Sequence, residues 1–404
     1  MSEATLRDRA AAPLTEDAAS EYIAAQGFEP TPPGRVGAEV EWHLTSTADR
    51  RRRIDDETVK ALLGVRDALP RRTRLSFEPG GALELSTKPG SLRECFDDLE
   101  ADRARIASAL ADEGLELLGL GLDPVRLPRR VVRSARYQAM EELFDQDGRA
   151  GRWMMANTAS VQVCLDTGTE SQLASRWALA HRLGPVLVAA FANSPLRRGE
   201  PSLWRSTRQH VWTAIDPSRS RPVPAGDPRE AWARYALDAR VMALRGPGRW
   251  TVPRGLTFRD WLRAPDLRPP TRDDLDFHLS TLFPPVRPRG RYLELRMIDA
   301  QPGPDWIVPV AVAAALLDDP AASAAATAAL EPLWHDAAPA DLYLRAATAA
   351  LHDPALAAAA RSCFTAALTA LRDPAVSAAV GAFTDTYIAQ DRTRADDLVP
   401  SGNY

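Results

Sequence analysis

The chain has 404 residues, 45% apolar and 26% charged, with a net charge of −4 at neutral pH. That composition supplies a sizeable core and is too near neutral to point to nucleic acid or to an anionic membrane surface. Three scattered cysteines, Cys95, Cys164 and Cys363, offer neither a disulfide framework nor a thiolate metal site.

Lys60 and Lys88 are the only lysines, so bound anions are expected to meet arginine forks, and lysine chemistry is disfavoured. The charged N-terminus lacks the apolar stretch of a signal peptide, and no apolar run reaches membrane-spanning length. A cytoplasmic protein without a membrane partner is expected; a monomer is compatible with the sequence.

In chain order, "LTEDAASEYIAAQ" (14–26) predicts a helix capped by Thr15, with acids in its first turn. "RVGAEVEWHLT" (35–45) alternates and reads as a strand, followed by a basic loop near 49–55. "RRTRLSFEPGGALELST" (71–87) reads as two strands joined by a Pro-Gly-Gly turn. Helical spacing covers 91–113 and stops at Gly114; 115–124 reads as an apolar strand. A strand at 157–167 and a long helix at 170–191 follow. Residues 193–229, rich in Pro, Arg and Ser, read as a long functional loop. The last clear strand is 290–302. From 307 to about 390 the chain is alanine-rich and helical, and its recurrent Asp-Pro pairs mark helix starts. These elements predict one α+β domain over 1–404, with a core at 35–310 and a helical C-terminal part at 311–390.

Strand side chains alternate faces. Glu39 and Glu41 therefore share one face while Val40 and Trp42 take the other. Glu84 opposes Leu83 and Leu85. Ser160, Gln162 and Cys164 oppose Val161, Val163 and Leu165. Tyr292, Glu294, Arg296 and Ile298 oppose Leu293, Leu295 and Met297. A solvated antiparallel sheet alternates in the same way. Here, however, the charged residues are mainly glutamates, recurring on strands distant in sequence. Glutamates crowded on one face repel unless a cation lies between them. Oxygen ligands with one amide favour Mg²⁺ or Mn²⁺. Pro79-Gly80-Gly81 supplies a tight turn and a possible close backbone approach to a ligand.

Other signals are weaker. No P-loop, dinucleotide fingerprint or G-x-S-x-G is present. His278 is open between a metal or nucleotide contact and a structural role. Arg205, Arg208 and His210 read either as surface residues or, beside Trp204 and Trp212, as a binding loop. Cys164 reads as a small packed residue without activation.

The segments "GAEVEWHL", "SFEPGGALELS", "TASVQVCLD", "ANSPLRRGEPSLWRSTRQHVWTAID" and "TLFPPVRPRGRYLELRMIDAQP" occur in an order that resembles the glutamate–cysteine ligases of the plant and bacterial type. The likeness covers roughly residues 35–310 and is strongest toward the actinobacterial ergothioneine-pathway branch. It implies a glutamine-synthetase-like antiparallel funnel backed by helices, with Mg²⁺ or Mn²⁺ as cofactor and ATP, L-glutamate and L-cysteine as substrates. The implied metal ligands are Glu39, Glu41, Glu84 and Glu294, joined by Glu78 and Gln162. Arg296, Glu84 and Glu294 are implied in catalysis. Arg208, Arg205, His278, Arg287 and Trp212 are implied in substrate binding. Alternatives are a related ligase using another amine, or a non-catalytic nucleotide- or metal-binding protein. Glu84→Ala or Glu294→Ala is expected to abolish activity with the fold intact.

Overall fold

The structure, a computed structural model, describes residues 14–54, 57–58, 61, 64, 69–335 and 337–399. Its strands are β1 (Val36–Ser46), β2 (Arg74–Phe77), β3 (Leu83–Ser86), β4 (Leu115–Leu118), β5 (Ser160–Asp166), β6 (Leu196–Arg197), β7 (Glu200–Pro201), β8 (Val286–Pro288) and β9 (Tyr292–Asp299). The main sheet runs β2-β3-β1-β5-β9-β8, and every neighbouring pair is antiparallel. β4 pairs with the far end of β1, while β6 and β7 form a separate ribbon.

One face of the sheet is dry. Val40, Trp42, Leu83, Leu85, Val161, Val163, Leu293 and Leu295 are all buried there. The helix Glu170–Ala190 packs against β9, and the helix Ile307–Asp318 packs against β5. The second is buried nearly all round, as its uninterrupted apolar sequence requires. Behind it, Asp319, Asp353 and Asp373 each cap a helix whose first residue is proline. The Asp-Pro pairs are thus helix starts: the carboxylate takes otherwise unpaired N–H groups, and proline has no N–H to leave unpaired.

Two expectations change. The loop expected at 193–229 contains the helices Thr207–Thr213 and Pro217–Ser220. Ser206 caps the first by accepting from Gln209 N at 3.1 Å. In addition, β9 bulges against β5: Val163 pairs with Leu295, but Val161 pairs with Ile298. The extra residue reverses the alternation. Ile298 therefore joins the buried apolar face, and Asp299 comes opposite Ser160. Among the described residues, no single helix is long and apolar enough to cross a membrane.

Candidate active site

The register sets the predicted acids beside one another. Glu41 lies opposite Glu84, and Glu39 opposite Gln162. Glu294 lies between Cys164 on β5 and Arg287 on β8. Such cross-strand partners approach to about 5 Å between Cβ atoms. Glu78 joins them from the turn after β2. Its carbonyl accepts from Gly81 N at 2.8 Å, and Gly81 takes a φ of +89°. Gly80 has no room for a side chain, since a Cβ would sit 2.0 Å from the carbonyl oxygen of Ala156. The close approach expected at this turn is therefore to the protein's own backbone.

Carboxylate oxygens of Glu41, Glu78 and Glu84 lie within 4.8 Å of one another. Glu41 is fixed at both oxygens, accepting from Gln162 Nε2 and from Ser160 N, each at 2.9 Å. Glu84 accepts from Ser76 Oγ at 2.6 Å and Ser86 Oγ at 3.2 Å. Burial and the Glu84 charge push Glu41 up to about 7. Burial, then Glu294 and Glu84, do the same to Glu39. Burial, then Glu41 and Glu84, drive Glu78 well above the usual carboxylate range. Crowded, part-desolvated oxygen donors of this kind fit a hard divalent cation. Glu39, Cys164 and Glu294 form a second close group. Burial and the two carboxylates hold the Cys164 thiol strongly protonated, so it is a poor ligand beside them.

Arginines complete the site. Arg287 meets Glu294 in a two-pronged pair, at 2.6 and 3.0 Å, and Arg296 Nη1 lies 2.9 Å from the same carboxylate. Burial alone would raise the pKa of Glu294; the two guanidiniums outweigh it and hold the group down to about 2. Arg296 also donates to Gln162 Oε1. Arg208 enters from the helix Thr207–Thr213 and donates to the Arg296 carbonyl at 2.7 Å. Its Nε and Nη1, like the Nε of Arg296, make no hydrogen bond within the protein. These buried donors suit an anionic substrate. The Trp212 ring lies 5.7 Å from the Arg208 guanidinium and 5.9 Å from that of Arg296.

The cleft encloses about 450 Å³, and five glutamates and six arginines line it. Three of those arginines, Arg74, Arg136 and Arg289, and Tyr137 beside them were not expected from the sequence. Arg74 was legible, because it shares the Ser76 face of β2. Arg136 and Tyr137 begin the helix Ala135–Phe144, and no local pattern marks them. Arg136 is aimed by two hydrogen bonds to Ser280, to its Oγ and its carbonyl, both 2.8 Å.

Two expected substrate residues lie elsewhere. His278 is buried; its Nε2 is 2.8 Å from the Ala236 carbonyl, and its ring packs 4.9 Å from Phe258. Burial pulls its pKa down to about 3, which suits a neutral packed imidazole. Arg205 is also buried, and its Nη1 lies 2.6 Å from Asp396. A buried guanidinium needs a counter-charge, and the C-terminal segment supplies it. His210 stacks on Trp204 at 4.0 Å, also off the cleft.

The profile described as Glutamate-cysteine ligase family 2 matches residues 35–400. The chain is 42% identical over 355 residues to "Glutamate--cysteine ligase EgtA" of Mycolicibacterium smegmatis, covering 85% of this chain and 82% of that one. It is 43% identical over 337 residues to the protein of the same name from Mycobacterium tuberculosis H37Rv, covering 80% and 78%. A chloroplastic glutamate–cysteine ligase of Brassica juncea is 33% identical over 239 residues, covering 56% of this chain and 46% of the plant protein. The fold matches the crystal structure of the Francisella tularensis glutamate–cysteine ligase in complex with AMP. That match has a TM-score of 0.53 at 14% identity, over 94% of this chain and 87% of that one. With the register and cleft described above, these likenesses establish that the chain belongs to glutamate-cysteine ligase family 2.

Proposed function

We propose that this protein joins the γ-carboxylate of L-glutamate to the amine of L-cysteine, converting ATP to ADP and phosphate. The observation that carries this reading is the clustering of Glu41, Glu78 and Glu84 within 4.8 Å, in a cleft that six arginines also line. The donor set fits Mg²⁺ or Mn²⁺, with Glu39 and Glu294 as further ligands and Gln162 holding Glu41 in place. Such a cation, when bound, would neutralise phosphate oxygens.

Phosphoryl transfer needs alignment and charge neutralisation more than a protein nucleophile. A γ-carboxylate oxygen of glutamate attacks the γ-phosphorus of ATP, and ADP leaves with the bridging oxygen. The cysteine nitrogen then attacks the acyl carbon; phosphate departs, and the nitrogen loses one proton. Arg208 binds and orients the glutamate through Nε and Nη1, which make no hydrogen bond within the protein. Arg296 meets charge at the transferring phosphoryl group, and Glu294 and Gln162 fix its guanidinium. Arg287 holds Glu294 ionised and in place. The likeness to two mycobacterial EgtA proteins supports a role for the product in ergothioneine biosynthesis. ATP and reduced cysteine as substrates fit the cytoplasm.

The test omits ATP, Mg²⁺, glutamate and cysteine one at a time and weighs the products by mass spectrometry. The reading predicts γ-glutamylcysteine with matching ADP only in the complete mixture. A γ-glutamyl product with alanine or serine in place of cysteine would replace the amine assignment, and no ATP turnover in any mixture would overturn the reading.

A further inference from the structure

Arg208 is placed by a chain of buried contacts that ends outside the cleft, in the C-terminal segment. Asp299, brought to the polar face by the β9 bulge, gathers three donors. Its Oδ2 accepts from Asn193 N at 2.9 Å and Ser194 Oγ at 2.7 Å, and its Oδ1 accepts from Ser206 Oγ at 2.9 Å. Ser194 Oγ in turn accepts from Arg208 N at 3.1 Å, and Ser206 caps the helix that carries Arg208. Arg208 Nη1 is 3.9 Å from Asp299. Segments 192–194 and 205–208 are therefore tied into one hydrogen-bonded unit, also joined by Ser194 N to the Arg205 carbonyl and Thr207 N to the Ser194 carbonyl.

The C-terminal segment grips this unit at both of its segments. Ala395 N donates to the Ala192 carbonyl at 3.2 Å. Asp396 Oδ1 lies 2.6 Å from Arg205 Nη1 and 3.3 Å from His352 Nε2. Its Oδ2 accepts from Thr393 N at 2.8 Å and Thr393 Oγ1 at 3.2 Å. Asp396 and Arg205 are each 5% exposed, so the pair is desolvated, and removing either partner leaves a buried charge uncompensated. Arg205 is three residues from Arg208, on the other side of the Ser206 cap.

We infer that Asp396 and Arg205 are positioning residues: through them the C-terminal extension sets the Arg208 guanidinium for the carboxylate substrate. This rests on the reading of Arg208 as the glutamate contact. It gives the chain beyond the sheet a catalytic purpose, because misplacing a substrate-orienting arginine by an ångström weakens the aligned complex.

The test is steady-state kinetics of Asp396→Asn and Arg205→Lys in the full chain, once the parent protein has been shown to make γ-glutamylcysteine. The inference predicts that KM for glutamate rises about tenfold or more, with KM for ATP and kcat changed by less than about threefold. A second measurement on the unaltered protein guards against poor folding of the variants. Glutamate should slow hydrogen exchange at amides of 391–399, because coupling between two sites is reciprocal. Unchanged KM for glutamate in folded variants, or a uniform loss across all three substrates, overturns the inference, as does unaltered exchange when glutamate saturates. A parent protein that makes no γ-glutamyl product would instead overturn the reading beneath it.

Discussion

Glu41 and Glu84 stand directly opposite each other on adjacent antiparallel strands, with Glu78 reaching over from the turn. Like charges in that position destabilise a sheet, and a divalent cation removes the repulsion. Mg²⁺ or Mn²⁺ should therefore raise the melting temperature, corresponding to about 2.7 kcal/mol at a hundredfold excess over Kd. Glu84→Gln should lose this shift and the activity, while the cation-free variant melts no lower than the parent. A full Mg²⁺-induced shift in Glu84→Gln would remove Glu84 from the ligand set.

The same crowding predicts a pH dependence. Glu39 and Glu41 have folded-state values raised from 4.5 to about 7. Their protonation favours the folded state, so this contribution is complete below about 4.5 and is lost as pH rises through about 7. A cation offsets that loss by stabilising the ionised form. The Mg²⁺-induced rise in melting temperature, measured against EDTA, should grow between about pH 5 and 8. A shift independent of pH over that range would contradict the cluster's electrostatics.

Glu294 behaves in the opposite way, since its arginine partners hold it down to about 2. It contributes stability above its ordinary range that disappears as pH falls toward 2. Because it is 1% exposed, Glu294→Ala strands Arg287 and Arg296 without their counter-charge. That should cost about 3–5 kcal/mol, measurable as a lower urea midpoint. A folded protein close to the parent's stability is thus expected for the Glu84 variant, and a folded but destabilised one for Glu294→Ala. A midpoint unchanged in Glu294→Ala would mean that the pair carries no stability.

His278 packs off the cleft, against Ala236 and Phe258. His278→Ala should lower stability by about 1–3 kcal/mol through a lost hydrogen bond and a cavity. KM for ATP and for glutamate should stay within about twofold of the parent. A large, selective rise in either KM would restore His278 to the substrate site.

Much of the site is legible because a strand has only two faces. Once 35–45, 83–87 and 157–167 are read as strands, the inward aim of Glu39, Glu41, Glu84 and Gln162 follows from parity alone. Parity fails where the chain inserts a residue: the β9 bulge turns Ile298 inward to the core and delivers Asp299. Nothing local announces that shift. Arg136 and Tyr137 arrive through tertiary packing of a helix, a relation that no short sequence pattern encodes. In an arginine-rich chain, Arg205 and Arg208 look alike. What separates them is Asp396, nearly two hundred residues away in sequence.

In the proposed mechanism the glutamate γ-carboxylate is the nucleophile toward ATP. Glutamate carrying heavy oxygen in that carboxylate tests it directly, with the released inorganic phosphate analysed by mass spectrometry. One heavy oxygen is expected in each phosphate, formed in step with γ-glutamylcysteine. Unlabelled phosphate accompanying the same product would contradict it, because the carboxylate oxygen would never have been bonded to phosphorus.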